Sequence, residues 1–188
     1  DSEVRTRNKE LGDTEVHKIA TTIGIAAIRY FMIKYSRGKV IVFDIDEALS
    51  FEGESGPYLQ YATVRAGNIL RKLKAKHNID ETHIIERLPS LSLSSLDDPD
   101  GTDLWGLALE ASRLEEVVEQ ALRTLELSSL AKYAFTLAQS FNGFYHRYPV
   151  IKEPDEDVRL WRAAVVVYVR NQLSRALELM GCEVPTRM

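Results

Sequence analysis

A single cysteine, Cys182, stands in 188 residues. No internal disulfide can form, which suits a reducing cytosol and leaves Cys182 as a small apolar residue near the end of the last helix. The four histidines, His17, His77, His83 and His146, lack the spacing to Cys, Asp or each other that marks a metal centre. No serine or cysteine stands in a pattern that supplies a nucleophile with an oriented base, so the residues offer no catalytic set and no cofactor site. No apolar run approaches the roughly 18–20 residues that span a bilayer, and Asp1 to Glu10 is charged where a signal peptide would be apolar. A membrane partner is therefore not expected, and the chain reads as cytoplasmic. The alternation of strands and helices that builds a nucleotide fold is also missing.

What remains is ordinary globular composition, 45% hydrophobic and 28% charged, in a chain long enough for one or two small domains. The net charge of −4 would argue against nucleic acid were it uniform. It is not. Gly56 to His77 holds five bases (Arg65, Arg71, Lys72, Lys74, Lys76) and no acid, whereas 78–120 holds eleven acids against Arg87 and Arg113. A phosphate backbone responds to the field of a local patch, so RNA binding stays open.

The pattern predicts an all-α helical bundle with an irregular front. Thr14 to Lys34 reads as a helix broken near Gly24, and Ser36-Arg37-Gly38 ends it. Lys39 to Phe43 is a β-branched run, extended or a lone strand without a partner. Asp44 or Asp46 can cap a short helix to Leu49. Pro57 fits the first turn of the next helix, which runs to about His77. On its wheel Leu59, Ala66, Leu70 and Leu73 face inward, beside a stripe of Tyr58, Tyr61, Ala62, Arg65, Ile69, Lys72 and Lys76. A short helix is expected within 78–88, then a Ser/Asp/Pro/Gly loop over 89–101. One helix should run from Thr102 or Asp103 to about Leu125, and another from Ser128 or Ser129 to Arg147, with Phe141 and Phe144 in the core. The last, Asp155 to Met180, is apolar nearly all round and should be the buried centre. Trp105 and Trp161 are expected in the core.

Four blocks carry a resemblance. Phe51, Gly53, Gly56, Pro57, Tyr58, Leu59, Gln60, Tyr61, Ala62 and Arg65 match a segment at the entry to the DALR-type anticodon-binding domain of arginyl-tRNA synthetases. Leu137 to Val150, with its Phe-Asn-Gly-Phe-Tyr core, resembles a second block of that family, and Leu179 to Met188 resembles its terminus. Ile23 to Tyr30 resembles a stretch at the back of the family's catalytic domain. The resemblance implies that 1–50 is the tail of a catalytic domain and 51–188 the anticodon-binding bundle. The chain lacks the HIGH-type and KMSK-like segments that such an enzyme uses, so it should be inactive alone. The resemblance implies tRNA-Arg as partner, with no DNA. A catalytic domain absent from this chain, using ATP and Mg, would perform arginine–tRNA ligation. A free-standing tRNA-binding protein and a helical protein-interaction domain are the alternatives.

Unpaired anticodon bases are recognised by stacking on aromatic rings and by bonding at their edges, while Arg and Lys hold the backbone. The resemblance places Tyr58, Tyr61 and Arg65 at the anticodon-facing end of the first bundle helix, and Tyr145 and the terminal Met188 on the other side of the same pocket. Lys72 and Lys76 come from the wheel as phosphate contacts, equally readable as a solvated face; Arg147 and Tyr148 are added by proximity. By pattern alone Tyr58 and Tyr61 fit bundle packing with hydroxyls at the rim better than a binding site. Arg162 and Arg170 are expected in buried ion pairs rather than on RNA. Gln60 fits either a base edge or a cap on a neighbouring loop.

Overall fold

The structure, a computed structural model, describes residues 2–7, 10–92, 96 and 100–188; the predicted loop falls partly outside them. Helix α1 (Ser2–Arg7) leads to α2 (Asp13–Ile33), α3 (Ile45–Leu49) and α4 (Gly56–His77). Then follow α5 (Glu81–Arg87), α6 (Asp100–Ser112), α7 (Leu114–Thr124), α8 (Ser128–Arg147) and α9 (Glu156–Leu179). No described residue lies in a strand, so Lys39 to Phe43 is irregular. With no second strand to satisfy its backbone it stays open, and Val40 and Val42 are exposed.

Local chemistry sets most boundaries. Asp44 caps α3 by accepting from the backbone N–H groups of Asp46 and Glu47, and Asp80 caps α5 through His83 N–H. Ser55 caps α4 through Tyr58 N–H, with Pro57 in the first turn, and Asn78 ends that helix in the left-handed region at φ 56°. Two expectations fail. Helix α2 passes through Gly24 unbroken: its flanking apolar residues Ile19, Ile23, Ala26 and Tyr30 are held against the bundle, which outweighs the small cost of one mid-helix glycine. The single helix expected to Leu125 is two, parted at Arg113, where the Ser112 hydroxyl donates back to Leu109 C=O and competes with the ladder.

Helix α9 is the centre. Leu160, Ala163, Val166, Val169, Leu173, Ala176 and Leu177 are all fully buried, among α4, α5, α6 and α8. Each large apolar side chain so buried contributes about 1.5–3 kcal/mol relative to exposure. Phe141 and Phe144 join this core as expected. Trp105 does not: it is 50% exposed, because the buried stripe of α6 is Leu104, Leu107 and Ala111, and residue 105 falls one step off it. Trp161 is half-buried and donates to Ser92 C=O.

Helices α4 and α8 run side by side in the same direction. Tyr58 meets Phe135 and Arg65 meets Asn142, at the same offset of 77 residues. Helix α2 crosses the start of α4 closely: a Cβ at Gly56 would fall inside the Ala26 carbonyl group. By length and composition alone α2 is apolar enough to cross a membrane, a test that a core helix also passes. In the fold, Val16, Ile19, Ile23, Ala26, Ala27, Tyr30 and Phe31 are buried while Ile25, Ile28 and Met32 face outward.

Candidate nucleic-acid interface

The parallel pairing of α4 and α8 leaves a cleft of about 850 Å³ between their second halves. Arg65, Lys72 and Lys76 come from α4, Asn142, Tyr145 and His146 from α8, and Pro149 to Lys152 close it beyond α8. None of the lining residues is acidic. Basic side chains four and seven apart along α4 share that face because of the helical period.

Arg65 organises the mouth. Its Nη1 donates to Asn142 Oδ1 at 2.7 Å, its Nη2 donates to Tyr61 Oη at 3.0 Å, and the guanidinium lies 4.6 Å from the Tyr61 ring centroid. Asn142 Nδ2 in turn donates to Tyr58 Oη at 3.0 Å. The Tyr58 ring packs on Phe135 with centroids 5.7 Å apart, and the Tyr145 ring stacks on Phe141 at 6.4 Å. Tyr58, Tyr61 and Tyr145 are all half-buried, and Tyr58 and Tyr145 pack against the core. Lys72 and Lys76 are exposed.

The structure thus gathers Arg65, Lys72, Lys76 and Tyr145 around one cleft, with Tyr58 and Tyr61 linked to it through Arg65 and Asn142. Met188, expected to close this pocket, does not line it. Gln60 Nε2 donates to Glu183 C=O at 2.6 Å and Arg71 Nη2 to Thr186 C=O at 3.4 Å, so the tail follows a neighbouring side of α4, and Arg187 turns to Glu10. Arg147 and Tyr148 also turn away. Arg147 pairs with Asp103 at 2.6 Å, and Tyr148 donates to the same carboxylate, whose hydrogen bond holds the phenol above its usual range. Gln60 is a cap rather than a reader, since it is fully buried and donates to Thr22 C=O as well. Arg162 pairs with Asp100 and Glu153 in a nearly buried cluster, as expected, whereas Arg170 pairs with Glu81 at a partly exposed position.

Asn142, His146 and Lys152 were not singled out in the sequence. Asn142 had a signal, three residues before Tyr145 and so on its face of α8. Lys152 had none, because its place depends on the chain turning back beyond Tyr148, where His77 Nε2 lies 3.0 Å from Ile151 O. Among the described residues no group of three or more His, Cys, Asp or Glu side chains is arranged to hold a metal ion.

Known proteins are similar to this chain in sequence and fold. The chain is 38% identical over 186 residues to an arginine–tRNA ligase of Thermococcus sibiricus, covering 98% of the chain and 28% of that relative. It is 32% identical over 189 residues to an arginine–tRNA ligase of Lactococcus lactis, covering 100% of the chain and 30% of that relative. The solved arginyl-tRNA synthetase of Thermus thermophilus superposes with a TM-score of 0.79 at 31% identity, over the whole of this chain and 30% of that one. The chain therefore spans less than a third of the length of these relatives. The DALR anticodon binding domain family matches residues 59–188, which include both walls of the cleft, and the chain belongs to that family.

Proposed function

We propose that this chain grips the anticodon arm of tRNA-Arg as the C-terminal part of an arginine–tRNA ligase. One observation carries the reading: an acid-free cleft whose cations stand beside three half-open tyrosines. Lys72, Lys76 and Lys152 are placed for phosphates; Tyr58, Tyr61 and Tyr145 supply ring faces and hydroxyls for splayed bases. The role is positional. Holding the anticodon arm aims the acceptor end at a catalytic domain outside this chain, which would join arginine to tRNA with ATP and Mg in the cytoplasm. Residues 1–50 belong with that catalytic portion and 51–188 form the RNA-binding unit; this chain alone would not charge tRNA.

Binding of tRNA-Arg and of an unrelated tRNA across a salt series tests the reading. Affinity for tRNA-Arg should fall as salt rises, and Tyr61→Ala should weaken it several-fold, in line with the roughly 1–3 kcal/mol of one stacked base. Equal binding of both tRNAs would defeat specific reading. A second reading, a protein-interaction domain, draws on the apolar groove of α5, α6 and α9, where Trp105 and Ile85 are exposed. Loss of all RNA binding at low salt would favour it.

A further inference from the structure

The orientation of the Asn142 amide is fixed by its neighbours. A guanidinium carries only donors, so the Asn142 atom 2.7 Å from Arg65 Nη1 must be its oxygen. The amide nitrogen then faces Tyr58 and donates to Tyr58 Oη at 3.0 Å. Arg65 Nη2 meanwhile donates to Tyr61 Oη at 3.0 Å. Both phenol oxygens therefore accept from the protein. Neither bond uses a phenol proton, so each proton is free to turn toward a ligand at the mouth of the cleft, beside Arg65 and Asn142, which line it. Lys72, Lys76 and the remaining Arg65 N–H groups are donors too.

We propose that Asn142 is a positioning residue that sets the polarity of this wall. By making Tyr58 an acceptor toward the protein, it aims the Tyr58 proton outward. The wall then selects nucleobase edges that present lone pairs, such as a pyrimidine carbonyl oxygen, over edges that present amino groups. This rests on the RNA reading of the cleft and adds a direction to it. The asymmetry matters because a buried donor facing a donor forfeits its bond, and that cost falls on the wrong base. The conduit is two hydrogen bonds long, from Arg65 through one amide to one phenol.

A double-mutant cycle with a tRNA-Arg transcript tests it. Tyr58→Phe and Asn142→Ala should each weaken binding roughly three- to ten-fold, as for the loss of one hydrogen bond. The double variant should be no weaker than the worse single, within about two-fold, because one change deletes the outward proton and the other its alignment. Should Asn142→Ala fail to fold, Asn142→Asp decides. Its carboxylate keeps Arg65 but can only accept, so it captures the Tyr58 proton inward, and adding Tyr58→Phe to it should change affinity by less than about two-fold. The salt slope of Tyr58→Phe should equal that of the unmodified chain, since no phosphate contact is lost.

Costs that add in the cycle, or a Tyr58→Phe protein that binds normally, would overturn the inference while leaving the RNA reading intact. A reduced salt slope for Tyr58→Phe would overturn it in favour of a phosphate acceptor. If the unmodified chain fails to bind at low salt, the RNA reading falls and takes the inference with it.

Discussion

Arg162 Nη2 on α9 lies 2.5 Å from Asp100 Oδ2 at the start of α6, and both side chains are nearly sealed from solvent. Arg162 Nη1 reaches Glu153 Oε2 at 2.6 Å and Pro149 C=O at 3.0 Å. The guanidinium thus ties the first residue of α6 and the turn before α9 to the central helix. Removing one partner of such a pair leaves a buried charge uncompensated. Asp100→Ala should lower unfolding free energy by about 3 kcal/mol in urea titration, with Glu153 left to hold the arginine. Replacing all three charges by neutral groups, Arg162→Met with Asp100→Leu and Glu153→Gln, should cost less than Asp100→Ala alone.

The crossing of α2 and α4 predicts a larger loss. Gly56→Ala pushes a methyl group into the backbone of Ala26 rather than into a flexible side chain. The two helices must separate, and neighbouring buried contacts of Ala26, Tyr30 and Leu59 go with them. We expect destabilisation at or beyond the roughly 1–3 kcal/mol typical of overpacking, seen as a lowered Tm. Gly67→Ala, on the same helix with open space around its Cβ position, should be neutral or stabilising.

Phosphate contacts and ring contacts should separate in salt. Lys72→Ala and Lys76→Ala should each weaken tRNA binding and each reduce the salt slope by about 0.7–0.9. Tyr145→Ala should weaken binding while leaving the slope unchanged. An unchanged slope for both lysine variants would place them on an idle face.

Cys182 makes a prediction about pH. Burial pushes its thiol up to about 11, whereas an exposed thiol titrates near about 8.5–9. Between those values the unfolded chain has lost a proton that the folded chain keeps, so stability falls as pH rises. The contribution is fully present below the lower value and gone above the upper one. The Tm of Cys182→Val should fall less than that of the unmodified chain across that window. At pH about 8 the native thiol should react with a thiol reagent far more slowly than the unfolded chain does.

Much of the bundle could be read from local pattern, because caps and periodicity are local. Ser55, Pro57 and Asn78 bracket α4, and the wide apolar surface of 160–177 announces the central helix. The break at Arg113 escaped because the apolar spacing of Leu107, Ala111, Leu114, Val117 and Ala121 runs straight through it. The cleft was half legible. Arg65, Lys72 and Lys76 share one helix and one wheel, whereas Asn142 and Lys152 reach them only through the register of α4 against α8, which neither helix encodes by itself. The path of the tail was misread for the same reason. The residues leading to Met188 are held at Glu183 by Gln60 and at Thr186 by Arg71, more than a hundred residues away.

Gln60 has a mechanical consequence. One sealed amide nitrogen fastens the α2 carbonyl of Thr22 and the tail carbonyl of Glu183 to α4 at a single point. A tug on the early helix therefore reaches the last residues and α4 through that one amide. In a longer polypeptide these three segments would swing as one rigid lever, with any pivot lying elsewhere.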